Sequence, residues 1–343
     1  MFNLKNLVRE NILKLEPYSS ARDEFKGSDG VFLDANENPF GEENRYPDPY
    51  QRLLKQKISD NKKVNMKNIF VGNGSDEIID LVFRIFCNPG EDKALTFSPT
   101  YGMYDVSANI NNIELIKVPL DSNFQINLDK TLSILKEIHP KIIFICSPNN
   151  PTGNLLNNNS IDTILKTFKG LIIIDEAYID FSSAESWMKK INDYPNLLVL
   201  QTFSKAWGLA NSRIGVAYTS ADIVNLLNKV KPPYNVSGAN QTRVIKALSN
   251  TILFESNLST IKCEKINLMN ELQNIKLIIN IYPSDSNFLL VKVKNADLIY
   301  EQLVKRGVII RNRNKIINDC IRITVGTTKE NQQLIKALKD IRL

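Results

Sequence analysis

Short, continuously apolar runs alternate with longer helix-patterned segments through the middle of the chain. The runs are Ile69–Val71, Ala94–Phe97, Ile142–Cys146, Leu171–Ile174, Leu197–Leu200 and Ile214–Ala217. Runs of this kind are typical of strands that are buried on both faces of a parallel sheet. The pattern therefore predicts an α/β fold, with a mostly parallel central sheet and helices on both faces. Ligands of such sheets bind outside the carboxyl ends of the strands, so the residues after each run are candidates for chemistry.

The last third of the chain has a different pattern and predicts a smaller α+β domain. A helical segment near 251–274 is followed by an apolar run at 287–293, a helix near 296–306, a second run at 320–325 and a final helix from about 329. We expect a large domain at 31–240 and a small domain at 241–343. Residues 1–30 carry no strong core pattern and are predicted to form an N-terminal arm.

Charge and hydropathy argue against two classes of partner. The chain has 43 Lys and Arg residues against 37 Asp and Glu residues, a net charge of +6, and the basic residues are dispersed along it. A nucleic-acid binder would need them concentrated on one surface, so no nucleic-acid partner is expected. No apolar run approaches the length of a bilayer span, and the first residues lack a signal-peptide core. We therefore expect no membrane association and a cytosolic location.

Cysteine and histidine usage narrows the possible chemistry. Cys87, Cys146, Cys263 and Cys320 form no CxxC pair, and we interpret them as free thiols. The only histidine, His139, cannot supply a metal site that needs two histidine ligands, and we predict no metal centre. We interpret His139 as a structural or surface residue. If the protein is an enzyme, another group must transfer its protons.

Four functional side chains follow successive predicted strands. Asp175 ends one run and Tyr178 comes three residues later, while Lys205 and then Arg213 follow the next run. This set matches the needs of pyridoxal 5′-phosphate: a lysine amine to form an imine, a carboxylate to keep the ring nitrogen protonated, a phenol for the ring oxygen and an arginine for the phosphate. The turn Gly72–Glu77, which opens a helix, adds backbone N–H groups suited to a phosphate. We therefore predict this cofactor, beside which a lysine can move a proton without any histidine.

The motifs, in their order, resemble those of fold-type I pyridoxal-phosphate aminotransferases, and most closely the histidinol-phosphate aminotransferase family. They extend over nearly the whole chain: Pro17–Arg22, Leu33–Pro39, Asn44–Pro49, Gly72–Glu77, Pro99–Tyr104, Ser147–Gly153, Asp175–Tyr178, Thr202–Lys205, Pro233–Val236 and Arg322–Gly326. The resemblance implies the fold-type I architecture and a transfer of an amino group between L-histidinol phosphate and 2-oxoglutarate, with glutamate as a product, in histidine biosynthesis.

The resemblance also implies a role for each matching residue. Lys205 is implied as the Schiff-base lysine, Asp175 as the partner of the pyridinium nitrogen, and Tyr178 as a contact of the ring oxygen. The other implied cofactor contacts are Asn150 at the ring oxygen, Tyr101 stacked on the ring, and Ser75, Asp76, Thr202, Ser204 and Arg213 at the phosphate. A homodimer is implied, with Tyr46 reaching across its interface to the neighbouring phosphate. The residues implied at the substrate end are Tyr18, Asn36, Arg311 and Arg322.

Other interpretations stay open at this point. Tyr101 could be a core residue and Arg311 a surface charge. The same scaffold serves pyridoxal-phosphate lyases such as a threonine-phosphate decarboxylase, and aromatic amino-acid aminotransferases. A non-catalytic ligand sensor is a further alternative, although no DNA-binding extension is recognisable. For an aminotransferase, the planar and permanently charged guanidinium of Arg322 could pair with a phosphate or a carboxylate, which gives a route to accepting two amino donors in turn.

Overall fold

Helices and strands alternate along the chain in the computed structural model, which describes residues 2–18, 25 and 30–342. The helices are α1 (Leu4–Leu7), α2 (Glu10–Lys14), α3 (Arg52–Lys62), α4 (Ser75–Phe86), α5 (Met103–Ile110), α6 (Leu128–Ile138), α7 (Asn158–Thr167), α8 (Ala221–Val230), α9 (Gly238–Leu248), α10 (Thr251–Gln273), α11 (Ala296–Lys305) and α12 (Thr328–Lys339). The strands are β1 (Ile69–Asn73), β2 (Lys93–Ser98), β3 (Glu114–Pro119), β4 (Ile142–Cys146), β5 (Leu171–Asp175), β6 (Leu197–Thr202), β7 (Ile214–Tyr218), β8 (Ile278–Ile281), β9 (Phe288–Val293), β10 (Arg311–Asn312) and β11 (Cys320–Thr324). In these described parts of the chain, no helix combines the length and the apolar character that a membrane span requires.

The large sheet has seven strands in the order β1-β7-β6-β5-β4-β2-β3. Strands β2 to β6 run parallel to one another, whereas β7 is antiparallel to both of its neighbours. Each of the six apolar runs in the middle of the chain is a strand of this sheet, so the predicted α/β fold is confirmed. The edge strand β3 was not predicted, because only Val118 of its residues is fully buried and its pattern is mixed.

Alternate residues of the central strands enter two cores on opposite faces of the sheet. In β5, Ile172 and Ile174 join the core that α3, α7 and α9 cover. Leu171 and Ile173 join the core under α4, α5 and α8. Because side chains of a strand point alternately to its two faces, a continuous apolar run is what a sheet covered on both sides requires.

The N-terminal segment contributes to the second of these cores, although its sequence showed no strong core pattern. Leu7, Val8 and Ile12 are buried there, and the N–H of Arg9 donates to the carbonyl oxygen of Ile85 at 3.0 Å. Helices as short as α1 and α2 are too brief for a helical period to be recognised. The Ser19–Arg22 part of the Pro17–Arg22 motif lies outside the described residues.

A smaller sheet follows, with antiparallel strands in the order β10-β11-β9-β8. Its apolar face packs under α10, α11 and α12 in a core of its own, which confirms the predicted α+β unit. The domain division at residue 240 stays a prediction. Helix α9 spans that position, and its Val244 and Leu248 belong to a core of the large sheet, so we propose that the division falls after Leu248.

Candidate active site

A pocket of about 110 Å³ lies at the carboxyl ends of β4, β5 and β6. Its lining residues are Ser75, Asp76, Tyr101, Cys146, Asn150, Asp175, Ala177, Tyr178, Thr202, Ser204, Lys205, Ala210 and Arg213. This is the edge at which parallel sheets bind their ligands. Every residue that the sequence assigned to the cofactor, apart from Tyr46, is brought together here within one chain.

Asp175 is the buried acid of the pocket. Its Oδ2 accepts a hydrogen bond of 2.7 Å from the phenol of Tyr104, and its Oδ1 accepts one of 3.0 Å from the N–H of Ala177. Burial raises the pKa of Asp175, while these two hydrogen bonds act in the opposite direction. Each oxygen retains a lone pair, so the carboxylate can still accept the N–H of a cationic ring. Tyr104 was not predicted to have this role.

Lys205 lies at the start of the loop that joins β6 to β7, and its Nζ is 5.8 Å from the centre of the Tyr178 ring. Although the residue as a whole is exposed, its amine lines the pocket. Partial burial lowers the pKa of Lys205, the positive charge of Arg322 acts in the same direction, and Asp175 opposes them. A lowered pKa increases the neutral fraction of an amine, which is the form that can attack a carbonyl or accept a proton.

A chain of polar contacts joins the pocket to Arg322 on β11. The amide nitrogen of Asn150 donates to the phenol oxygen of Tyr178 at 3.4 Å. The amide oxygen of Asn150 accepts a hydrogen bond from Nη1 of Arg322. Phe288 packs against both ends of this chain of contacts. Its ring centre is 5.1 Å from the Tyr178 ring centre and 5.1 Å from the guanidinium carbon of Arg322. Arg322 therefore contacts Asn150, which is one of the residues predicted to bind the cofactor ring.

The opposite end of the pocket presents groups that can bind an anion. Gly74 precedes α4 with a φ of 81°, and no described side chain caps this helix, so its first N–H groups are available to a ligand. Arg213 lies beside them, with Nη2 3.5 Å from Oδ2 of Asp76. A Cβ on Gly215 would lie 2.5 Å from the carbonyl carbon of Gly74 and closer still to the nitrogen of Ser75. The turn and β7 thus approach each other too closely for any side chain.

The hydroxyl groups and Tyr101 complete this end. The N–H of Ser204 donates to Oγ1 of Thr202 at 3.1 Å, and the phenol of Tyr101 donates to Oδ1 of Asp76 at 3.0 Å. A helix N-terminus, a guanidinium and two hydroxyls form a donor set that suits a phosphate. The residues present therefore fit pyridoxal 5′-phosphate: the groups at the start of α4 would hold its phosphate, and Asp175 would pair with its ring nitrogen.

Five predicted site residues do not line this pocket, and one of them, Arg322, contacts it through its hydrogen bond to Asn150. Tyr46 and Asn36 line a separate open cleft beside the start of α9, where the Tyr46 ring stacks on Tyr234 with centres 4.4 Å apart. Tyr18 is 69% exposed. Arg311 is exposed on β10, directly opposite Arg322.

Comparison with known proteins identifies the family. Residues 17–338 match the family Aminotransferase class I and II, and the chain belongs to it. Within that family it is similar to histidinol-phosphate aminotransferases. It is 49% identical to the histidinol-phosphate aminotransferase of Parabacteroides distasonis, and the match covers 100% of both chains.

Solved structures give the same similarity. The histidinol-phosphate aminotransferase from Clostridium acetobutylicum superimposes with a TM-score of 0.80 at 27% identity, covering 87% of this chain and 90% of that one. The corresponding protein from Sinorhizobium meliloti, solved in complex with pyridoxal-5′-phosphate, gives a TM-score of 0.79 at 22% identity, with 86% and 82% covered. This second likeness shows the shared fold, and the pocket described above lies in that fold.

Proposed function

We propose that this protein transfers an amino group between L-histidinol phosphate and 2-oxoglutarate, in histidine biosynthesis, with pyridoxal 5′-phosphate as its cofactor. The observation that carries the proposal is the contact of Arg322 with Asn150, which brings a guanidinium to the edge of the pocket of Lys205 and Asp175. The full-length similarity to histidinol-phosphate aminotransferases supports the choice of substrate. A cytosolic location belongs to the same proposal and is tested by cell fractionation.

The pocket residues have different roles in this reaction. When bound, the cofactor supplies an electrophilic aldehyde and an electron-accepting ring. Asp175 holds the ring nitrogen in its protonated form, since a buried carboxylate stabilises a cationic partner. Tyr178 and Asn150 orient the ring oxygen, and Ser75, Thr202, Ser204 and Arg213 bind the phosphate. The amine of Lys205 would accept a proton from the substrate carbon and deliver it to the cofactor carbon that bears the transferred nitrogen, so no histidine is needed.

Arg322 is proposed to bind the anionic group of either donor. Glutamate offers an α-carboxylate, and histidinol phosphate offers a phosphate ester at the corresponding end. A planar guanidinium can form paired hydrogen bonds with both. Burial lowers the pKa of Arg322, but a guanidinium keeps its charge throughout the physiological range.

The decisive experiment compares amino donors. Histidinol phosphate, phenylalanine and threonine phosphate are each assayed with and without 2-oxoglutarate. We expect turnover of histidinol phosphate that requires 2-oxoglutarate. Preference for phenylalanine would instead indicate an aromatic aminotransferase, and release of carbon dioxide from threonine phosphate without 2-oxoglutarate would indicate a lyase. Failure to turn over any donor would leave a ligand sensor.

The role of Lys205 is tested in the same protein. Borohydride reduction should attach the cofactor covalently to Lys205, and Lys205→Ala should abolish turnover while the protein still folds. Lys189→Ala is the control, because Lys189 pairs with Glu185 on the surface. Attachment to any other lysine would contradict the assignment.

A homodimer is part of the proposal, with Tyr46 completing the phosphate site of the partner. Tyr46 lies in a cleft apart from the Lys205 pocket of its own chain, as a residue that serves a second subunit would. We suggest mixing Tyr46→Ala and Lys205→Ala subunits. In a hybrid dimer one site then has both native residues, so activity should return to a preparation whose parents are impaired. No recovery would mean that Tyr46 does not act across the interface.

A further inference from the structure

Three arginines share one face of the small sheet. Arg311 of β10 lies directly opposite Arg322 of β11, and Arg313 follows two positions later. The N–H of Arg313 donates to the carbonyl oxygen of Cys320 at 2.9 Å, which continues the same register by one pair. Opposite residues, and residues two apart, point to the same face of a sheet. Ile321 and Ile323 occupy the other face, in the core of the small sheet, so the three guanidinium groups are on the face turned towards Phe288 and the pocket.

Arg313 is more enclosed than Arg311. It is half-buried, whereas Arg311 is exposed. The Nε atoms of Arg313 and Arg322 are both buried without a hydrogen-bond partner among the described residues. A buried donor without a partner is costly, and a bound anion would remove that cost. The Nε atom of each side chain therefore lacks an acceptor, which a bound anion could supply.

The charge of Arg313 acts on the wall of the pocket. Burial lowers the pKa of Arg313 to about 10, the charges of Arg322 and Arg311 act in the same direction, and the Tyr178 phenol opposes them. The relation is reciprocal: burial raises the pKa of Tyr178, while the charges of Arg322 and Arg313 are among the influences that lower it. The charge of Arg313 therefore acts on the phenol that is predicted to contact the cofactor ring.

Asp297, at the start of α11, fixes the segment that carries Arg313. Its Oδ1 accepts a hydrogen bond of 2.6 Å from Nδ2 of Asn312, and its Oδ2 accepts one of 2.7 Å from Nδ2 of Asn314. The two asparagines flank Arg313 in the chain. Because the side chains on both sides of Arg313 are held on Asp297, the backbone that carries Arg313 is fixed on α11.

We propose that Arg313, together with Arg322, binds the phosphate of the phosphorylated amino donor, and that Asp297 is the residue that positions it. This inference rests on the proposed function. A phosphate ester carries a charge of about −1.5 to −2 near neutral pH, whereas the α-carboxylate of glutamate carries a single negative charge. Two guanidinium groups match the ester, and Arg322 alone suffices for the α-carboxylate. Arg313 is then the residue that distinguishes the two donors.

The test compares the two half-reactions of the holoenzyme, followed by cofactor absorbance. For Arg313→Ala, we expect the apparent Kd for histidinol phosphate to rise by roughly tenfold or more, since hydrogen bonds between charged groups are the strong ones. The maximal rate and the apparent Kd for glutamate should each change less than about twofold. Inorganic phosphate should inhibit the variant more weakly by a similar factor, and Arg313→Lys should restore part of the affinity.

Arg306→Ala is the matched control. This variant also removes one positive charge from the small domain. Arg306 directly follows α11, and it bonds to Gln302 and to the carbonyl oxygen of Asp340. The variant should leave both half-reactions unchanged. An equal loss for both donors in Arg313→Ala, or no loss for histidinol phosphate, would overturn the assignment.

A second variant tests the positioning role. Asp297→Ala should weaken histidinol phosphate in the same way as Arg313→Ala, but less, and should add nothing in the Arg313→Ala background. Additive losses would overturn the role of Asp297. If the wild-type protein accepts glutamate but never histidinol phosphate, the proposed function itself has failed, and the assignment of Arg313 fails with it. That outcome is recognised in the wild type alone, before any variant is measured.

Discussion

The phenol of Tyr104 donates to Oδ2 of Asp175 over 2.7 Å, so a side chain of α5 holds the carboxylate that ends β5. Tyr104 is fully buried and its ring stacks on Phe144 of β4, with centres 4.8 Å apart. The acid predicted to pair with the cofactor ring is therefore held by a side chain that is itself fully buried and stacked. Its carboxylate is oriented before any ligand binds.

Removing this hydrogen bond should slow the reaction. Tyr104→Phe keeps the stacked ring but takes away the donor that lowers the pKa of Asp175. The carboxylate should then hold a cationic ring nitrogen less well, and we expect kcat to fall by roughly tenfold, from the strength of a hydrogen bond to a charged group. Steady-state kinetics and the rate of cofactor loss measure this. Tyr194→Phe is the control, because it breaks a tyrosine–aspartate bond with Asp162 outside the pocket; an equal effect there would contradict the prediction.

Arg322→Ala should weaken both amino donors. Arg322 contacts Asn150 and is the arginine nearest to the predicted ring contacts, so either anion is expected to reach it. We expect the apparent Kd for histidinol phosphate and for glutamate each to rise by about tenfold or more. The half-reactions measure the two values separately. A loss confined to one donor would refute a shared anion site, and it would differ from the one-sided loss expected at Arg313.

The approach of β7 to the turn before α4 can be tested with one methyl group. Gly215→Ala should push Gly74 and Ser75 away from the predicted phosphate site, because its Cβ has no room there. We expect weaker cofactor retention and a free energy of unfolding lower by roughly 1–3 kcal/mol, as for other overpacked positions. Equilibrium dialysis and denaturant titration measure these. Gly102→Ala is the control, since nothing lies within 4 Å of a Cβ at that position.

Glu176 should make stability depend on pH. It is buried, and it accepts hydrogen bonds from Ser186, Gln201 and the N–H of Trp187. Burial raises the pKa of Glu176 from 4.5 to about 7, and these bonds act in the opposite direction. Between those two pH values the folded state keeps a proton that the unfolded state has released, so the free energy of unfolding falls as pH rises.

The variant Glu176→Gln removes this titration. We expect the pH dependence of the free energy of unfolding between about pH 4.5 and 7 to flatten by up to roughly 1.4 kcal/mol per pH unit. Denaturant titrations at several pH values measure the slope. Glu185→Gln is the control, because Glu185 is exposed and pairs with Lys189. An unchanged slope in Glu176→Gln would mean that another group controls the dependence.

The sequence was sufficient to predict the strands that are buried on both faces, because each of them is a short, continuous apolar run between helix-patterned segments. It was insufficient for β3, whose edge position leaves most of its side chains partly in solvent. The same limit applied to α1 and α2, where Leu7, Val8 and Ile12 are buried but most of the residues around them are exposed. Burial on one side of a short element leaves too few apolar residues to form a pattern.

Within the site, the order of functional residues at strand ends predicted which side chains would meet. It did not predict which of two tyrosines in Pro99–Tyr104 would face Asp175, because that depends on the direction in which α5 leaves β2. Arg313 was missed for a related reason. Arg311, Arg313 and Lys315 look alike as a basic segment, and only the register of β10 and β11 and the bonds to Asp297 separate the enclosed arginine from the exposed ones.

The loop between β6 and β7 carries Ser204, Lys205 and Arg213, and its two ends are tied together by the hydrogen bond from the Phe203 N–H to the Ile214 carbonyl oxygen at 3.0 Å. The amine that we propose to react and the guanidinium that we propose to bind the phosphate consequently lie in one closed segment. Inserting or deleting a single residue within it would move one of them relative to the other. We therefore expect the length of this loop to be more strictly constrained in evolution than the lengths of the surface connections elsewhere in the chain.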